Sequence, residues 1–302
     1  MNLQGRSSLI VLGAILAIVV VAGIWLITRS AGSEPVQIKH LHGLSFSNDG
    51  KQLIVPAHDG LVVYENGQWR VPNVPANDYM GYSASNDGFY SSGHPDRNVS
   101  RVNPFGLVKS NDGGKTLTAL AFEGESDFHV MAVGYKSHAI YLWNPNANST
   151  LSAGLHYSLD DAQTWTPSNA EGLAGDPIQL AAHPTEANIV AAATEVGLFA
   201  STDHGQTFQR IGDVAPITAV AFSITDSKLI FGYRDLQTYD LAQQNLDELA
   251  TPPLAVDDGI SNIAPNPLSN AMAVATFGKN VFLSGGNNQP WTQIAWQGNS
   301  RK

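Results

Sequence analysis

Two hydrophobic patterns divide this chain. Residues 9–27, opening at Leu9 and closing at Ile27, carry no charge. At a helical rise of about 1.5 Å per residue such a run is long enough to cross a bilayer. From residue 38 the pattern changes. Short apolar runs alternate with clusters of Gly, Pro, Asn and Asp, the mark of strands separated by turns. Six runs align: 40–46, 78–83, 127–133, 177–182, 216–222 and 259–264. Each is followed by a turn and a second apolar run, at 53–57, 89–92, 139–143, 189–193, 229–232 and 271–276. Third and fourth strands complete each unit. The pattern predicts an all-β chain, a six-bladed β-propeller preceded by one N-terminal transmembrane helix. The predicted organisation is an anchor over 1–29, a linker over 30–37, the propeller over 38–297 and a tail over 298–302. Ring closure by strand exchange would have to use segment 34–39.

A repeat sharpens the blade count. The stretches Ser110-Asn-Asp112-Gly-Gly114-Lys-Thr116-Leu117, Ser158-Leu-Asp160-Asp-Ala162-Gln-Thr164-Trp165 and Ser201-Thr-Asp203-His-Gly205-Gln-Thr207-Phe208 share one pattern. They recur at steps of 48 and 43 residues, close to the length of one propeller blade. A decayed copy runs from Ser284 to Trp291, about two blades further on. In this pattern Asp112, Asp160 and Asp203 are placed to accept backbone N–H bonds across a hairpin turn. Gly114 and Gly205 suit positive φ. These aspartates read as structural staples, not catalysts.

The repeat resembles the Asp-box of bacterial-neuraminidase (BNR) repeats, found in sialidases, sortilin-like receptors and some xyloglucan-cutting glycosidases. A longer string is His-x-His-Gly at 40–43, Met80-Gly-Tyr82, Ser92-Gly-His94-Pro-Asp96, Asn103-Pro-Phe-Gly-Leu107 and Asp127-Phe-His129. It is similar to a group of membrane-anchored bacterial Asp-box proteins often labelled glycosyl hydrolases. The resemblance covers most of 38–210 and implies the propeller fold, with hydrolysis implied only by the label.

Charge and composition narrow the classes. The net charge is −10, with 16 basic and 26 acidic residues. An acidic domain without a basic stripe is a poor nucleic-acid binder. The chain has no cysteine, which rules out disulfides and a lipid-modified cysteine anchor. Arg6 precedes the apolar run and Arg29 follows it. A cleaved signal peptide is the rival reading, but its apolar core is usually about 7–15 residues, and no small-x-small site precedes Arg29. The expectation is a single-pass cell-membrane protein with an extracytoplasmic propeller, an orientation that follows from the resemblance more than from the flanking charges.

The alignment also makes a chemical statement. In a propeller the first strand of each blade starts on the face where the second ends. The second-to-third loops share that face, and the third-to-fourth turns lie opposite. Equivalent positions near the start of the six first strands are His42, Met80, His129, Gln179, Thr218 and Asn262. Two residues earlier stand His40, Asp78 and Asp127, on the same side by strand alternation. His58 and His94 end the second strands of blades one and two. Imidazoles with a thioether suit copper, above all Cu(I), and the same histidines with an aspartate suit zinc. The expected partner is thus a metal ion, with His42, Met80 and His129 as ligands and His40, His58 and His94 as additional candidates. A small organic ligand on a metal-free rim, or a rim that only lines a wet channel, stays open.

Two other functions compete. A glycoside hydrolase needs two carboxyl groups flanking a sugar, roughly 5–10 Å apart. Asp78 and Asp127 are the candidates, with Asp59, Asp96 and Glu195 on the same rim, and Tyr82 and Trp143 as stacking surfaces. A sialidase is excluded, because its substrate carboxylate needs an arginine cluster. Only Arg70, Arg97, Arg101, Arg210 and Arg234 occur within 38–297, and none holds a mouth position. The third function is a scaffold for protein partners.

Overall fold

The computed structural model describes residues 36–286 and 289–301. The apolar run 9–27 lies outside the described residues. Residues from Val36 onward form one compact unit made of six antiparallel sheets with strands in chain order. Five sheets have four strands and the last has five. The second strands are Leu53–Ala57, Gly88–His94, Ile140–Asn144, Val190–Thr194, Leu229–Gly232 and Met272–Thr276, close to the runs read from sequence.

These strands are apolar on both faces because each sheet is covered on both sides. In Val190–Thr194 every residue is buried. Ala191 and Ala193 pack toward blade five with Phe222 and Phe231. Val190 and Ala192 pack toward blade three with Tyr141 and Leu155. Small side chains let neighbouring sheets approach closely. The buried residues fall into six clusters, one at each blade-to-blade interface. No sheet has a private core.

The ring is closed at its two ends by backbone bonds. Gln37 bridges Asn299, Ile38 N–H donates to Gly298 O at 2.6 Å, and Ser300 N–H donates to Val36 O at 3.0 Å. Closure uses residues 36–38 and 298–300, so the propeller extends past both ends of the 38–297 span expected from sequence. Each short edge satisfies the other's N–H and C=O groups. Inside the seam, buried Trp69 of blade one donates its indole N–H to Ile294 O of blade six at 2.8 Å.

The three Ser-x-Asp turns join third to fourth strands in blades two, three and four, and they make the same bonds. Ser110, Ser158 and Ser201 each donate to the following aspartate and accept from the N–H of residue 114, 162 or 205. Asp112, Asp160 and Asp203 each accept from the backbone and hydroxyl of Thr116, Thr164 or Thr207 at 2.6–2.9 Å. Gly114 and Gly205 have φ of 90° and 78°, and Ala162 takes φ 68° at the same position, so the turn imposes its conformation even without glycine. Hydrogen bonds from Thr116 and Thr164 pull Asp112 and Asp160 down to about 2. At Asp203 burial opposes the shift, but bonds from Ser201 and Thr207 prevail and the value is again about 2.

The first strands begin later than the sequence pattern predicts in every blade but the second, whose strand opens at Asp78 as expected. They are Ser45–Phe46, Asp78–Ser85, Met131–Val133, Gln179–Ala182, Ala219–Phe222 and Ile260–Pro265. The segments just before them still run along the channel but bond partly to the preceding blade. Phe128 N–H donates to Ser92 Oγ at 2.9 Å. Ile217 N–H donates to Thr194 O at 3.0 Å, and Ile260 N–H to Tyr233 O at 2.7 Å. In blade one, Pro56 on the second strand has no N–H to give the ladder.

Trp69→Phe removes the indole N–H from the seam and leaves the Ile294 carbonyl to the Arg301 N–H alone, which should cost about 0.5–1.5 kcal/mol in chemical denaturation; an unchanged midpoint would show that the seam bond contributes nothing. The three turn aspartates sit below their ordinary value, so their contribution is present above about pH 4 and is lost as the pH falls toward about 2. Melting temperature should drop over that window, and Asp203→Asn should reduce the drop.

Candidate functional site

The six mouth positions read from sequence meet at one place. His42, Met80, His129, Gln179, Thr218 and Asn262 all line a single cavity of about 500 Å³ at one end of the central channel. How their side chains are aimed depends on irregular pairing in three successive blades. In blade one the inner segment takes four steps from Leu41 to Ser45 while its partner takes three from Ala57 to Ile54. In blade two Met80 is the extra residue between Tyr79 and Gly81. In blade six Ser261 is the extra residue between Ile260 and Asn262. A bulge of this kind bends the strand and redirects a side chain. Simple alternation therefore fails at Asp78 and Met80. Met80 lines the cavity, while Asp78 reaches the histidines of blade one.

Asp78 is the centre of the first group. Its Oδ2 stands 2.6 Å from His58 Nδ1 as an ion-pair contact, and its Oδ1 stands 3.6 Å from His42 Nε2. That separation is too long for a hydrogen bond. Both facing atoms, His42 Nε2 and Asp78 Oδ1, are buried and have no hydrogen-bond partner. One nitrogen each of His42 and His58 and one oxygen of Asp78 lie within 4.8 Å of one another. His40 stands edge-on to His58 at 5.6 Å between ring centroids and parallel to His42 at 6.3 Å. Burial pushes the His42 imidazole below its ordinary value, and the nearby Asp78 charge offsets this only in part.

Asp127 is the centre of the second group. Its Oδ2 accepts from His129 Nε2 at 3.0 Å and from His94 Nε2 at 3.1 Å. His94 Nδ1 is also engaged, by Asn103 Oδ1 at 2.6 Å, so both ring nitrogens of His94 are committed. Burial raises the Asp127 carboxyl, but the hydrogen bond and charge of His129, with those of His94, outweigh it and hold it low. The same bond to Asp127 raises His129, against its own partial burial.

The expected ligand set therefore divides. His42 joins His58 and Asp78, whereas His129 joins Asp127 and His94; of these six only His42 and His129 line the cavity, together with Met80. The repetition is structural: the histidine ending the second strand of one blade pairs with the aspartate opening the next. On the other side of the mouth, Gln179 Oε1 accepts from Val220 N–H at 2.7 Å and Thr218 donates to Ile260 O at 2.6 Å, so both also tie adjacent blades together. The proposed sugar platforms are already packed. Tyr82 stacks on Phe89 at 4.8 Å, and Trp143 packs against the core between blades three and four. Asp59 is paired with Lys39 at 2.6 Å. Sequence reading missed Lys279, which lines the cavity from the second-to-third turn of blade six. Extending the alignment that marked His58 and His94 by a few residues in blade six would have reached it.

Fold and rim define the class: a six-bladed β-propeller with a histidine-rich cavity on one face. No protein-family model matches the chain, and no curated protein matches it. Solved structures do match. A GH74 enzyme of Niastella koreensis is similar with a TM-score of 0.59 at 16% identity, over 86% of this chain and 46% of that one. The GH74 xyloglucanase of Xanthomonas campestris gives 0.54 at 15% identity, over 86% and 46%. The extracellular domain of BT4673 from B. thetaiotaomicron gives 0.53 at 14% identity, over 87% and 34%. The chain spans about half the length of the two GH74 enzymes. At these identities the likeness shows the fold.

The histidine titrations test this geometry. In an NMR titration His129 should titrate above 6.5 and His42 below it. Whatever His129 adds to stability is then present below pH 6.5 and lost as the pH rises through its raised value. Asp127→Asn should bring His129 down; an unmoved titration would show that Asp127 does not hold it.

Proposed function

We propose that this propeller is a metal-binding module, with His42, His58 and Asp78 as the protein ligands. The observation that carries the reading is the pair of buried, unpartnered atoms, His42 Nε2 and Asp78 Oδ1, facing each other at 3.6 Å. Leaving two such atoms unpaired is costly. Two ligands each about 2.0–2.1 Å from a tetrahedral ion stand roughly 3.3–3.4 Å apart, close to that spacing. The neutral state that burial favours at His42 is also the state that ligates.

Two imidazoles and a carboxylate suit zinc, and Cu(II) after it. Cu(I), which the His42, Met80 and His129 set favours in sequence, would draw on Met80 in the same cavity. The second group, His94–Asp127–His129, would orient the neighbouring rim. The uncharged run 9–27 would tether the propeller to the cell membrane as a single-pass, extracytoplasmic domain, where envelope metal handling is the matching role. The resemblance to membrane-anchored bacterial Asp-box proteins supports this reading.

The glycoside hydrolase reading fits the rim less well. Asp78 and Asp127 are both already paired with imidazoles, at 2.6 Å and at 3.0–3.1 Å. A general acid must keep its proton near neutral pH, and Asp127 is held low.

Untagged protein should take up about one zinc ion per chain in calorimetry and elemental analysis. His42→Ala with His58→Ala should abolish that uptake while leaving the metal-free thermal transition nearly unchanged. At zinc about 100-fold over Kd, the wild type should gain about 2.7 kcal/mol of stability that the double variant lacks. Zinc retained by the double variant would remove these ligands from consideration. Release of oligosaccharides from xyloglucan by the wild type, lost in Asp127→Asn, would replace the metal reading with the hydrolytic one.

A further inference from the structure

We propose that the cavity walled by His42 takes a small carboxylate chelator, whose negative charge is met by Lys279 and whose donor atoms reach past His42 to complete the coordination of the ion held by His42, His58 and Asp78. The inference rests on the metal reading above. The cavity, at about 500 Å³, is far larger than the roughly 30 Å³ share of one water molecule. It has room for an organic ligand of several heavy atoms. Three protein ligands also leave at least one position on a tetrahedral ion open to an outside donor.

Lys279 is displayed by a turn built to hold it. Its N–H donates to Thr276 O at 2.8 Å, and Thr276 N–H donates to Asn280 O at 3.0 Å. Buried Asp258 braces the turn from beneath, accepting from Gly278 N–H at 2.8 Å and from Asn280 Nδ2 at 2.9 Å. Lys279 has φ 58°, the left-handed conformation that the bonds of this turn impose. The turn is also tied to the blade-one histidines. Lys279 O accepts from Gly298 N–H at 2.8 Å, and Gly298 O accepts from Ile38 N–H, two residues before His40. Blade six adjoins blade one across the seam, and Lys279 lines the same cavity as His40 and His42.

Charge then selects the ligand. The other cavity lysine, Lys39, is neutralised by Asp59 at 2.6 Å. Among the described residues Lys279 has no carboxylate within 4.0 Å. No arginine lines the cavity, so the multidentate clamp that phosphate favours is missing. One lysine matches one carboxylate. Gln179 spends its Oε1 on Val220 and keeps its NH₂ as a donor. With Ser261 and Asn262 it offers hydrogen bonds to a hydroxyl or amine. The class is an α-hydroxy or α-amino acid bound as a metal chelate.

The test is calorimetry with L-malate as probe and inorganic phosphate as counter-probe. Zinc is titrated alone first, then malate is titrated into zinc-saturated and zinc-free protein. Malate should bind the zinc-loaded form at least about tenfold tighter, and Lys279→Met should weaken malate by about tenfold while leaving zinc affinity unaltered. Lys279→Arg should retain most of the malate affinity and shows that the turn still folds. Absence of zinc uptake in the first titration overturns the metal reading and this inference with it. Zinc uptake with equal malate affinity in wild type and Lys279→Met overturns this inference alone, as does phosphate binding as tightly as malate.

Discussion

Every blade of this protein has two apolar faces and none of its own elements to cover them. That constraint governs the rest of the structure. Ala191 and Ala193 need blade five, and Val190 and Ala192 need blade three. The sheets are satisfied only when each stands between two others, and the last must meet the first. The bonds between residues 36–38 and 298–300 and the Trp69–Ile294 bond belong to that meeting. Burial shared around a ring makes the ends of the chain part of its core.

The same constraint builds the site. Radial packing forces six inner strands to converge on one channel, and polar residues near their starts have nowhere else to go. Where strands converge, backbone groups from adjacent blades compete for partners. Ser92, Thr194 and Tyr233 accept bonds from the next blade. Bulges in blades six, one and two absorb the mismatch and re-aim the residues beside them. The histidine groups and Lys279 lie on those blades and the next one. The opposite face carries the Ser-x-Asp turns, whose aspartates spend their oxygens on their own loops. Structural and chemical carboxylates are thus separated by the ends of the sheets. Those at the turns are saturated with donors, whereas Asp78 and Asp127 each keep a buried oxygen unpaired.

Much of this was legible in the chain. The second strands appear as apolar runs because they are buried on both faces, and their limits differ from the observed ones by no more than a few residues. The turn repeat is legible because its bonds are local, within about six residues of sequence. The six mouth positions were found by aligning strands, since equivalent strands deliver equivalent residues to one cavity. Pairing within the rim was not legible. His58 and His94 stood as peripheral candidates, yet His58 makes the closest contact to Asp78 and His94 joins blade two to Asp127 of blade three. The extra residue at Met80 separates Asp78 from the cavity wall, and no feature of Asp78-Tyr-Met80-Gly announces it.

Sequence alone determined the number of blades, the strands in each, the turns that staple them and which residues reach the mouth. These follow from periodicity and short-range hydrogen bonding, which depend on neighbours along the chain. The tertiary structure decided which histidine faces which aspartate, which oxygens remain unpaired and that Lys279 lines the same cavity as His42. Those outcomes depend on sheet-to-sheet spacing and on single-residue bulges. A shift of one residue in pairing moves a side chain from one face to the other, and that shift is set by packing between blades distant in sequence.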